Sequence, residues 1–440
     1  MPDARQLLAR LFASAVAAVE PAAAVRRHMS IGDDVLQVGD RSLDLRGVER
    51  VIVVGAGKAS APMAQAVEDV LGGRVVGGVV VVKHGHTAPL RRVRCIEAGH
   101  PVPDAAGAAG ALALEAVLTG LSPRDLVIAC ISGGASALTP APRPPLTLAD
   151  KQVVTRELLA CGAAIAEINA VRKHLSRLKG GQLARLAAPA RLVALVLSDV
   201  IGDDLSAIAS GPTAPDPTTF ADVAAIISRH GIAQRLPAAV RELIARGVAG
   251  GEPETVKPGD PCFAGVINHL IGSNRLALAA VAAAARELGL DPVVIDTPLT
   301  GEARRAAADF CARAMTVAAG SGRPRVLIAG GEVTVTLGAA PGRGGRAQEF
   351  ALASALALSG STGVTVLAAG TDGSDGSTDA AGAIADGGTL VRAAALGLAA
   401  RDHLDRHDAN PFFAALGDLV ISGPTSTNVM DCYLAIIGFD

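Results

Sequence analysis

Three carboxylates stand close together in one glycine-rich stretch near the C-terminal end of the chain. Residues 369–383 read AGTDGSDGSTDAAGA, which places Asp372, Asp375 and Asp379 among glycines and hydroxyl residues after an apolar run. Like charges this close repel one another unless a cation lies nearby. The spacing does not match a calcium-binding EF-hand loop. The stretch therefore predicts a site for Mg²⁺ or for cationic side chains, although the same aspartates could form turns that cap the next helix.

A lysine opens a helix after an early strand. The segment VIVVGAGKASAPM (51–63) reads as an apolar strand, a glycine turn and a helix start that contains Lys58 and Ser60. Glycine lets a backbone approach an anion, and a helix N-terminus offers free N–H groups. The segment lacks the third glycine of a dinucleotide fingerprint and the spacing of a Walker A motif. Lys58 is therefore a candidate to bind a phosphoryl or carboxylate group, and a solvated lysine is the alternative.

A loop of small residues follows the apolar run LVIACI (126–131). Its sequence exposes backbone amides without any bulky side chain, which suits phosphate oxygens. A serine-hydrolase turn would need G-x-S-x-G, and that order is absent. A tight turn needed only for packing is the alternative. The candidate phosphate-binding residues are Ser132, Gly133, Gly134, Ala135 and Ser136.

Acidic residues also follow the strand-like run LVALVLS (192–198), in the stretch SDVIGDDLSAIASGPT. Carboxylates at a strand end are oxygen ligands suited to Mg²⁺, which uses one or two of them together with substrate phosphates. Asp199 is the stronger candidate as a metal ligand or base. Asp204 is a second candidate ligand, but it could equally cap the turn that begins there.

An arginine stands at a helix start in GRGGRAQEF (342–350). A glycine-rich loop before a helix places Arg346 for two-point recognition of a carboxylate or phosphate. An ordinary surface loop is the alternative. Together with Lys58 and the strand-end acids, this arginine favours phosphoryl transfer, which depends on positioning and charge neutralisation.

The composition of the chain limits the class of protein to which these loops can belong. A chain of 440 residues is long enough for two domains, and 50% hydrophobic with 19% charged residues excludes disorder. The net charge of −2 and the lack of a basic stripe exclude nucleic acid as a partner. The six cysteines show no CxxC or CxxH pair, which favours reduced thiols in a cytoplasmic protein.

Two apolar stretches could suggest a membrane, but both have better explanations. Residues 5–20 follow helical spacing and carry flanking charges, which predicts an amphipathic helix rather than a signal peptide. Residues 350–371 lack charge over a transmembrane length, but SGSTG (359–363) divides them into a buried helix and a buried strand. We therefore expect no membrane partner.

The order of elements predicts an α/β protein with two domains. Apolar runs alternate with alanine-rich helices up to about residue 213, which indicates a parallel sheet. The Pro/Gly-rich passage 214–262 suggests the junction, and we set domains at 1–240 and 241–440. A second α/β series follows. In RVLIAGGEVTVTL (325–337), two strand-like runs separated by a glycine pair predict an antiparallel neighbour and hence a mixed sheet.

The motifs together resemble the glycerate 2-kinase family, which is related to tartrate-utilisation proteins once described as hydroxypyruvate reductases. The resemblance runs from about residue 50 to the C-terminus, and its motifs occur in the expected order. The matching stretches are VGAGKAS, KHGHT, AGHPVPDAAG, CISGGASAL, INAVRKHLSRLKGGQLA, LVLSDVIGDDLSAIASGPT, GGRAQE and AAGTDGSDGSTDAAGA.

The resemblance implies ATP- and Mg²⁺-dependent phosphorylation of D-glycerate at its 2-hydroxyl group, giving 2-phosphoglycerate and ADP. It implies two three-layer α/β/α domains with the active site in a cleft between them. The first would carry a six-stranded parallel, Rossmann-like sheet, and the second, of the MOFRL type, a mixed sheet. We further expect a cytoplasmic monomer or homodimer.

On this resemblance we assign roles to the candidate residues. Lys58, Arg346 and Asp199 are the expected catalytic residues, and Lys58, Ser60, His84 and Arg346 are expected to bind substrate. Lys179, from the stretch INAVRKHLSRLKGG, joins residues 132–136 at the nucleotide. The expected metal ligands are Asp199, Asp204, Asp372 and Asp375.

One alternative function is an NAD(P)H-dependent hydroxypyruvate reductase. It would need a complete G-x-G-x-x-G and an acidic residue at the end of the second strand. Glu68 and Asp69 instead fall within a helix. A non-catalytic ligand-binding protein is a further alternative, which the many charged residues at strand ends disfavour.

Overall fold

A computed structural model describes residues 3–320, 323–338 and 340–439. The chain divides into two compact units. Residues 21–271 form one, which we call the parallel-sheet unit. The other, which we call the mixed-sheet unit, takes its described residues from the ranges 1–20 and 272–440.

The described part of the chain contains sixteen α-helices. They are α1 (Ala4–Ala18), α2 (Pro21–His28), α3 (Ser60–Leu71), α4 (Ala105–Val117), α5 (Ala135–Leu138), α6 (Leu148–Ala160), α7 (Ile165–His174), α8 (Gln182–Ala187), α9 (Phe220–Arg229), α10 (Ala238–Val248), α11 (Asn274–Glu287), α12 (Ala303–Ala319), α13 (Arg346–Ala357), α14 (Thr389–Ala395), α15 (Ala400–Asp405) and α16 (Ala409–Leu416).

Fifteen β-strands lie in the same described ranges. They are β1 (Met29–Gly32), β2 (Val35–Val38), β3 (Arg41–Asp44), β4 (Arg50–Ala56), β5 (Val75–Lys83), β6 (Val93–Ala98), β7 (Asp125–Ile131), β8 (Arg191–Leu197), β9 (Val266–Gly272), β10 (Asp291–Val294), β11 (Arg325–Gly331), β12 (Val364–Gly370), β13 (Gly382–Asp386), β14 (Leu419–Val420) and β15 (Asp431–Ile437).

The parallel-sheet unit contains a six-stranded sheet in the order β6-β5-β4-β7-β8-β9. The pairings from β6 to β8 are parallel, and every residue of β7 is buried. Burial on both faces explains why these strands read as continuous apolar runs. Numbered by first appearance, the order is 3-2-1-4-5-6, which reverses direction between β4 and β7. The expected six-stranded parallel sheet is confirmed.

The passage predicted as a domain junction is a helical layer inside the parallel-sheet unit. Helices α9 and α10 bury their apolar faces with α6 and α7 in one cluster, which includes Leu158, Val171, Val223 and Leu243. Residues 266–272, which the expected boundary places in the second domain, form β9 of the first sheet. The compact units therefore divide the chain at 271/272 rather than at the expected 240/241, which falls within α10.

The mixed-sheet unit contains six strands in the order β10-β11-β15-β12-β13-β14. Only the β10–β11 pairing is parallel among the described pairings of this sheet. Phe350 of α13 packs between two other aromatic rings. Its ring centroid lies 5.8 Å from that of Phe310 on α12 and 4.5 Å from that of Tyr433 on β15. The expected mixed sheet is confirmed.

The reason we gave for the mixed sheet was wrong. Residues 332–337 form no strand beyond a single bridge at Thr334, so they are not the antiparallel neighbour of β11. The C-terminal strand β15 takes that place and lies between β11 and β12. The expectation that residues 350–371 form a buried helix and a buried strand is confirmed by α13 and β12.

The amphipathic first helix is confirmed, and its place in the fold could not be read from the sequence. Asp3 caps α1 by accepting from the Gln6 N–H at 2.7 Å. The buried face of α1 packs on α11 in the mixed-sheet unit, and Arg5 forms ion pairs with Asp386 and Asp418. Residues 3–20 therefore belong with the C-terminal part of the chain.

Two further observations concern the whole described chain. All six cysteines are free thiols. None of the individual helices reaches the length and apolarity that a membrane crossing requires, whereas the bent pair α1 and α2 passes by length and composition only.

Candidate functional site

The loops after β4 and β7 are joined by hydrogen bonds at the carboxyl edge of the parallel sheet. The Lys58 N–H donates to the Gly133 carbonyl oxygen at 2.9 Å, and the Ala59 N–H donates to Ser132 Oγ at 3.0 Å. Gly57 has a φ of 135°, and a Cβ there would collide with Ser132. The glycine is therefore needed for this approach. The two loops form one rigid edge.

Three functional side chains surround the small-residue loop. A Cβ on Gly133 would meet the carboxylate of Asp199, with its Cγ only 2.8 Å away. A Cβ on Gly134 would lie 3.1 Å from the His100 ring and 3.6 Å from Lys58 Cγ. The structure thus brings together Lys58, Asp199 and the loop, as the sequence predicted, and adds His100.

The lysine and the histidines at this edge of the sheet have different surroundings. The Lys58 ammonium makes no hydrogen bond or ion pair with the described residues of its unit. His86 Nδ1 lies 3.2 Å from the Lys58 carbonyl oxygen. Burial, and then the positive charge of Lys58, lower the pKa of His100 to about 4. His100 is therefore neutral at neutral pH and leaves Lys58 as a cation beside the loop.

A chain of polar contacts links the loop to the segment SGPT (210–213). Ser136 Oγ lies 3.1 Å from Ser210 Oγ, which in turn lies 3.1 Å from Asn169 Oδ1 on α7. Ser210 has a φ of 61° although it is not glycine. Such left-handed non-glycine residues are strained and concentrate at functional sites. SGPT and α7 therefore border the loop.

Other predicted residues of this unit have different places. Ser60 Oγ donates to the Cys130 carbonyl oxygen at 2.8 Å and is buried, so it fastens α3 to β7. The His84 side chain is 64% exposed and lies 3.8 Å from Asp104. Both oxygens of Asp204 accept from Ser206, which makes this aspartate the cap of a turn. The alternative of turn capping therefore describes this contact, and a role of Asp204 as a metal ligand stays a prediction.

Lys179 is buried beneath the same loop. Its Nζ donates to the Thr139 carbonyl oxygen at 2.7 Å, just after α5. Burial, with a further contribution from Arg172, lowers the pKa of Lys179 to about 7. Lys179 therefore supports the loop from below, and its charge is sensitive to any anion that binds there.

In the mixed-sheet unit, Arg346 is held by two carboxylates. Its Nε and Nη2 donate to Asp431 at 2.7 and 3.1 Å, and its Nη1 pairs with Glu332. Burial alone would lower the pKa of Arg346, but Asp431 and Glu332 raise it above its ordinary value. Asp431 is buried, which raises the pKa of its carboxyl despite the arginine, and it also accepts from the Tyr433 hydroxyl at 3.0 Å.

Asp375, one of the three aspartates of the acidic loop, caps helix α13. Its carboxylate accepts from the Ala347 and Gln348 N–H groups at 3.1 and 2.8 Å, and from Gln348 Nε2 at 3.1 Å. Burial raises the pKa of Asp375 to about 6, although these hydrogen bonds oppose the shift. Both oxygens accept hydrogen bonds from the start of α13, and a role of Asp375 as a metal ligand stays a prediction. The alternative of helix capping describes it better.

A pocket of about 460 Å³ opens beside Arg346. Asp372 lies on its wall, half-buried, with Oδ1 accepting from the Ser374 N–H at 3.2 Å. Asp379 is exposed. The titratable residues on the wall are Arg346, Glu349, Asp372, Asp375, His407 and Asp431. Asp372 is therefore the member of the acidic loop that is available to a ligand in this pocket.

Sequence reasoning missed the partners of Arg346. Asp431 is 85 residues away in the chain and is the first residue of an apolar strand, and Glu332 stood inside a run that we predicted to be a strand. His100 lies in the stretch AGHPVPDAAG, to which the sequence analysis assigned no role. No group of three or more His, Cys, Asp or Glu side chains among the described residues is arranged to hold a metal ion.

The fold and loops define a two-unit α/β protein with glycine-rich loops at the edge of a doubly wound sheet. Residues 7–245 match a domain of unknown function, DUF4147, and residues 325–431 match the MOFRL family. A glycerate 2-kinase of Pyrococcus horikoshii is 40% identical over 439 residues, which cover 99% of this chain and 98% of that protein. This chain belongs to the glycerate 2-kinase family.

Two further relatives are similar over nearly the whole length. A putative hydroxypyruvate reductase of Agrobacterium vitis is 46% identical over 440 residues, covering 99% of this chain and 95% of that protein. The crystal structure of a glycerate kinase from Thermotoga maritima has a TM-score of 0.87 and 37% identity, covering 98% of this chain and 99% of that chain. The similarity therefore extends over both units.

Proposed function

We propose that this protein is a kinase that transfers the γ-phosphoryl group of ATP to the 2-hydroxyl group of D-glycerate, giving 2-phosphoglycerate and ADP. The full-length similarity to proteins named glycerate 2-kinase supports the reaction class. The single observation that carries the proposal is the position of Lys58 and of the loop 132–136 at the carboxyl ends of β4 and β7.

That position is where an open α/β sheet binds its ligand. The strand order reverses between β4 and β7, and crevices at such reversal points accept nucleotides and other anions. The loop after β7 contains only small residues, and the loop after β4 brings a lysine next to it. We assign the nucleotide phosphates to residues 132–136, with Lys179 supporting that loop from within the unit.

The electrostatics of this edge suit phosphoryl transfer. The transition state spreads negative charge over phosphoryl oxygens, and pre-positioned cations stabilise it. Lys58 is a cation without an acidic partner among the described residues of its unit, and neutral His100 beside it does not compete for the anion. We therefore assign to Lys58 the neutralisation of the transferring phosphoryl group or of the glycerate carboxylate.

Asp199 is the proposed base or metal ligand. Its carboxylate packs against Gly133, so an oxygen donor stands directly beside the loop assigned to phosphate. Mg²⁺ commonly takes one or two carboxylates together with phosphate oxygens, so this donor set fits the ion. Bound Mg²⁺ would neutralise charge on the phosphates, and Asp199 would hold it there or accept the proton of the substrate hydroxyl group.

In the mixed-sheet unit, Arg346 and Asp372 are the proposed functional residues. Arg346 is fixed in place by Asp431 and Glu332, so its guanidinium is pre-oriented toward the pocket it lines. We propose that it recognises an oxyanion of the substrates, and that Asp372 is a second candidate ligand for Mg²⁺. That Lys58 and Arg346 act on the same bound substrate stays a prediction.

A reductase is the rival function, since a relative with that tentative name is 46% identical to this chain. A dinucleotide site of this strand order needs an acidic residue at the end of the second strand to bind the ribose. The corresponding strand, β5, ends at Lys83, and the next residue in the chain is His84, so no acidic residue stands at this strand end. The acids Glu68 and Asp69 lie on α3, where Glu68 accepts from backbone N–H groups of residues 91–93. The observed strand end favours the kinase.

The experiment is to incubate the purified protein with D-glycerate, ATP and Mg²⁺ and to record the ³¹P NMR spectrum. We expect the signal of 2-phosphoglycerate together with ADP. A parallel incubation with hydroxypyruvate and NADH, followed at 340 nm, tests the reductase. Formation of 3-phosphoglycerate, or NADH oxidation without ADP release, would contradict the proposal. A cytoplasmic monomer or homodimer without nucleic-acid or membrane partners stays a prediction.

A further inference from the structure

Arg172, in the last turn of α7, is a half-buried arginine without a counter-ion. Its guanidinium makes no hydrogen bond and no ion pair with any described residue of its unit. Burial of the group lowers the pKa of Arg172. Removing a charge from water costs free energy unless an opposite charge or hydrogen bonds compensate. Binding of an anion would supply that compensation to the unpaired, half-buried guanidinium of Arg172.

The neighbouring basic residues of this segment already have acidic partners. Lys173 Nζ lies 3.2 Å from Asp216, and Arg177 binds Glu115 through two nitrogens at 2.9 and 3.0 Å. His174 Nε2 lies 2.9 Å from Glu254. Arg172 therefore differs from these three neighbours in the sequence, because it has no acidic partner among the described residues of its unit.

The positive charge of Arg172 acts on two buried lysines, Lys151 and Lys179. After burial, Arg172 contributes to lowering the pKa of both Lys151 and Lys179. These lysines are held only by carbonyl oxygens within the described residues: Lys179 by Thr139 at 2.7 Å, and Lys151 by Pro140 at 2.6 Å and Leu175 at 3.3 Å. Arg172 thus belongs to a cluster of three buried or half-buried basic side chains that have no carboxylate partner among the described residues.

This cluster lies beside the small-residue loop. Asn169 is one turn before Arg172 on the same face of α7, and its Oδ1 accepts from Ser210, which contacts Ser136 of the loop. Lys179 binds Thr139, immediately after the helix that the loop begins. A path of polar contacts therefore runs from the face of α7 that carries Arg172 to Ser136, and Lys179 binds the residue that follows α5.

We propose that Arg172 binds a phosphate oxygen of the nucleotide, at the subsite formed with the loop 132–136. This inference rests on the proposed function, because it takes the bound nucleotide to be the phosphoryl donor of the kinase. Arg172 together with two lysines that a bound anion would help to protonate suits a polyphosphate with several negative charges better than the single carboxylate of glycerate. A guanidinium also presents parallel N–H donors that match phosphate oxygens.

The experiment measures the affinities of the full-length protein for ADP, adenosine and D-glycerate by calorimetry. Arg172→Gln removes the charge and keeps a side chain of similar length. We expect the Kd for ADP to rise by about 10- to 100-fold, because a charge-assisted hydrogen bond is lost. The Kd for adenosine and that for D-glycerate should stay within about twofold of the wild-type values, since neither ligand carries a phosphate.

The matched control is Arg156→Gln, which removes an exposed arginine from the neighbouring helix α6. It should bind ADP as the wild type does. If Arg172→Gln does not fold, Arg172→Lys replaces it. Lysine keeps the charge but cannot donate through a fork, so it should bind ADP several-fold more weakly than the wild type does.

Three results would overturn the inference. They are wild-type ADP affinity in the folded Arg172 variants, an equal loss of adenosine affinity, and a loss confined to D-glycerate. The two proposals can fail separately. Formation of 2-phosphoglycerate with an unchanged KM for ATP in Arg172→Gln refutes only the role of Arg172. A wild type that makes no phosphoglycerate, together with weakened ADP binding in the variant, refutes only the kinase.

Discussion

The cations that we propose as functional residues are held in opposite ways in the two units. In the parallel-sheet unit, Lys58 and Arg172 have no acidic partner among the described residues of that unit. In the mixed-sheet unit, Arg346 is bound by Asp431 and Glu332 before any substrate arrives. The first unit leaves positive charge for a ligand to neutralise, whereas the second provides an oriented guanidinium whose charge is already compensated.

This difference indicates different uses of a cation. An unpaired lysine contributes its full charge to an incoming phosphate, and its removal should change chemistry more than stability. An arginine that is paired to a buried carboxylate is part of the packing, and its removal leaves an uncompensated charge. The predictions below test this contrast, in order of decreasing expected effect.

The largest effect is expected on stability in the mixed-sheet unit. Arg346→Gln leaves Asp431 buried without its partner, and losing one member of such a pair costs about 3–5 kcal/mol. We expect urea unfolding of this variant to show a loss of free energy of unfolding in that range. The reason is that Asp431 must then either keep an unpaired charge or take up a proton.

The double variant Arg346→Gln with Asp431→Asn is the control for that prediction. It removes both charges and should recover more than half of the lost stability. Wild-type stability in the single variant, or no recovery in the double variant, would mean that the pair does not act as described.

The second prediction concerns Lys58. Lys58→Met should reduce kcat/KM for glycerate phosphorylation by about 100- to 1,000-fold, the usual loss when one pre-positioned group that stabilises the transition state is removed. Its midpoint of urea unfolding should equal or exceed that of the wild type, because the lysine has no described partner to lose within its unit. Steady-state kinetics and unfolding curves measured on the same preparation provide both quantities.

His100 supplies an internal check on the Lys58 variant. Lys58 is the second contribution, after burial, to the low pKa of His100, so its removal should raise that pKa, as NMR titration would show. Lys58→Arg keeps the charge and should retain more activity than Lys58→Met. Full activity in Lys58→Met would exclude the proposed role.

The smallest effect is expected in the pH dependence of stability. Lys179 has a folded-state pKa of about 7, below its ordinary 10.5, so between these values the unfolded chain holds a proton that the folded chain has released. The free energy of unfolding should therefore rise with pH across this window, by at most about 1.4 kcal/mol per pH unit from this group. Lys179→Met should flatten the curve between pH 7 and 10. Parallel curves for the two proteins would show that Lys179 keeps its ordinary pKa when folded.

Local patterns in the sequence identified much of the fold. Continuous apolar runs predicted β4, β5, β7 and β8, since parallel strands buried on both faces have no alternation to read. Less regular segments were missed, namely the small sheet β1-β2-β3 and the strands β6 and β13. The run 332–337 has strand composition but does not pair as a strand, because β15 occupies the place next to β11.

The candidate site was partly predictable for a similar reason. Loops at the carboxyl ends of parallel strands converge, so Lys58, residues 132–136 and Asp199 could be brought together without knowing the packing. The contacts that each carboxylate makes in the folded protein were not predictable from the sequence. Asp375 caps α13 and Asp204 caps its own turn, whereas Asp372 faces a pocket, although all three stood in similar glycine-rich stretches.

By itself, the sequence determined the α/β class, the glycine loops and the family, because these depend on local spacing and on motifs contiguous in the chain. Tertiary structure alone decided which charges are compensated. Asp431 reaches Arg346 across 85 residues, and α1 joins strands near the opposite end of the chain. Such contacts depend on strand order and burial, and no periodicity of the intervening residues encodes them.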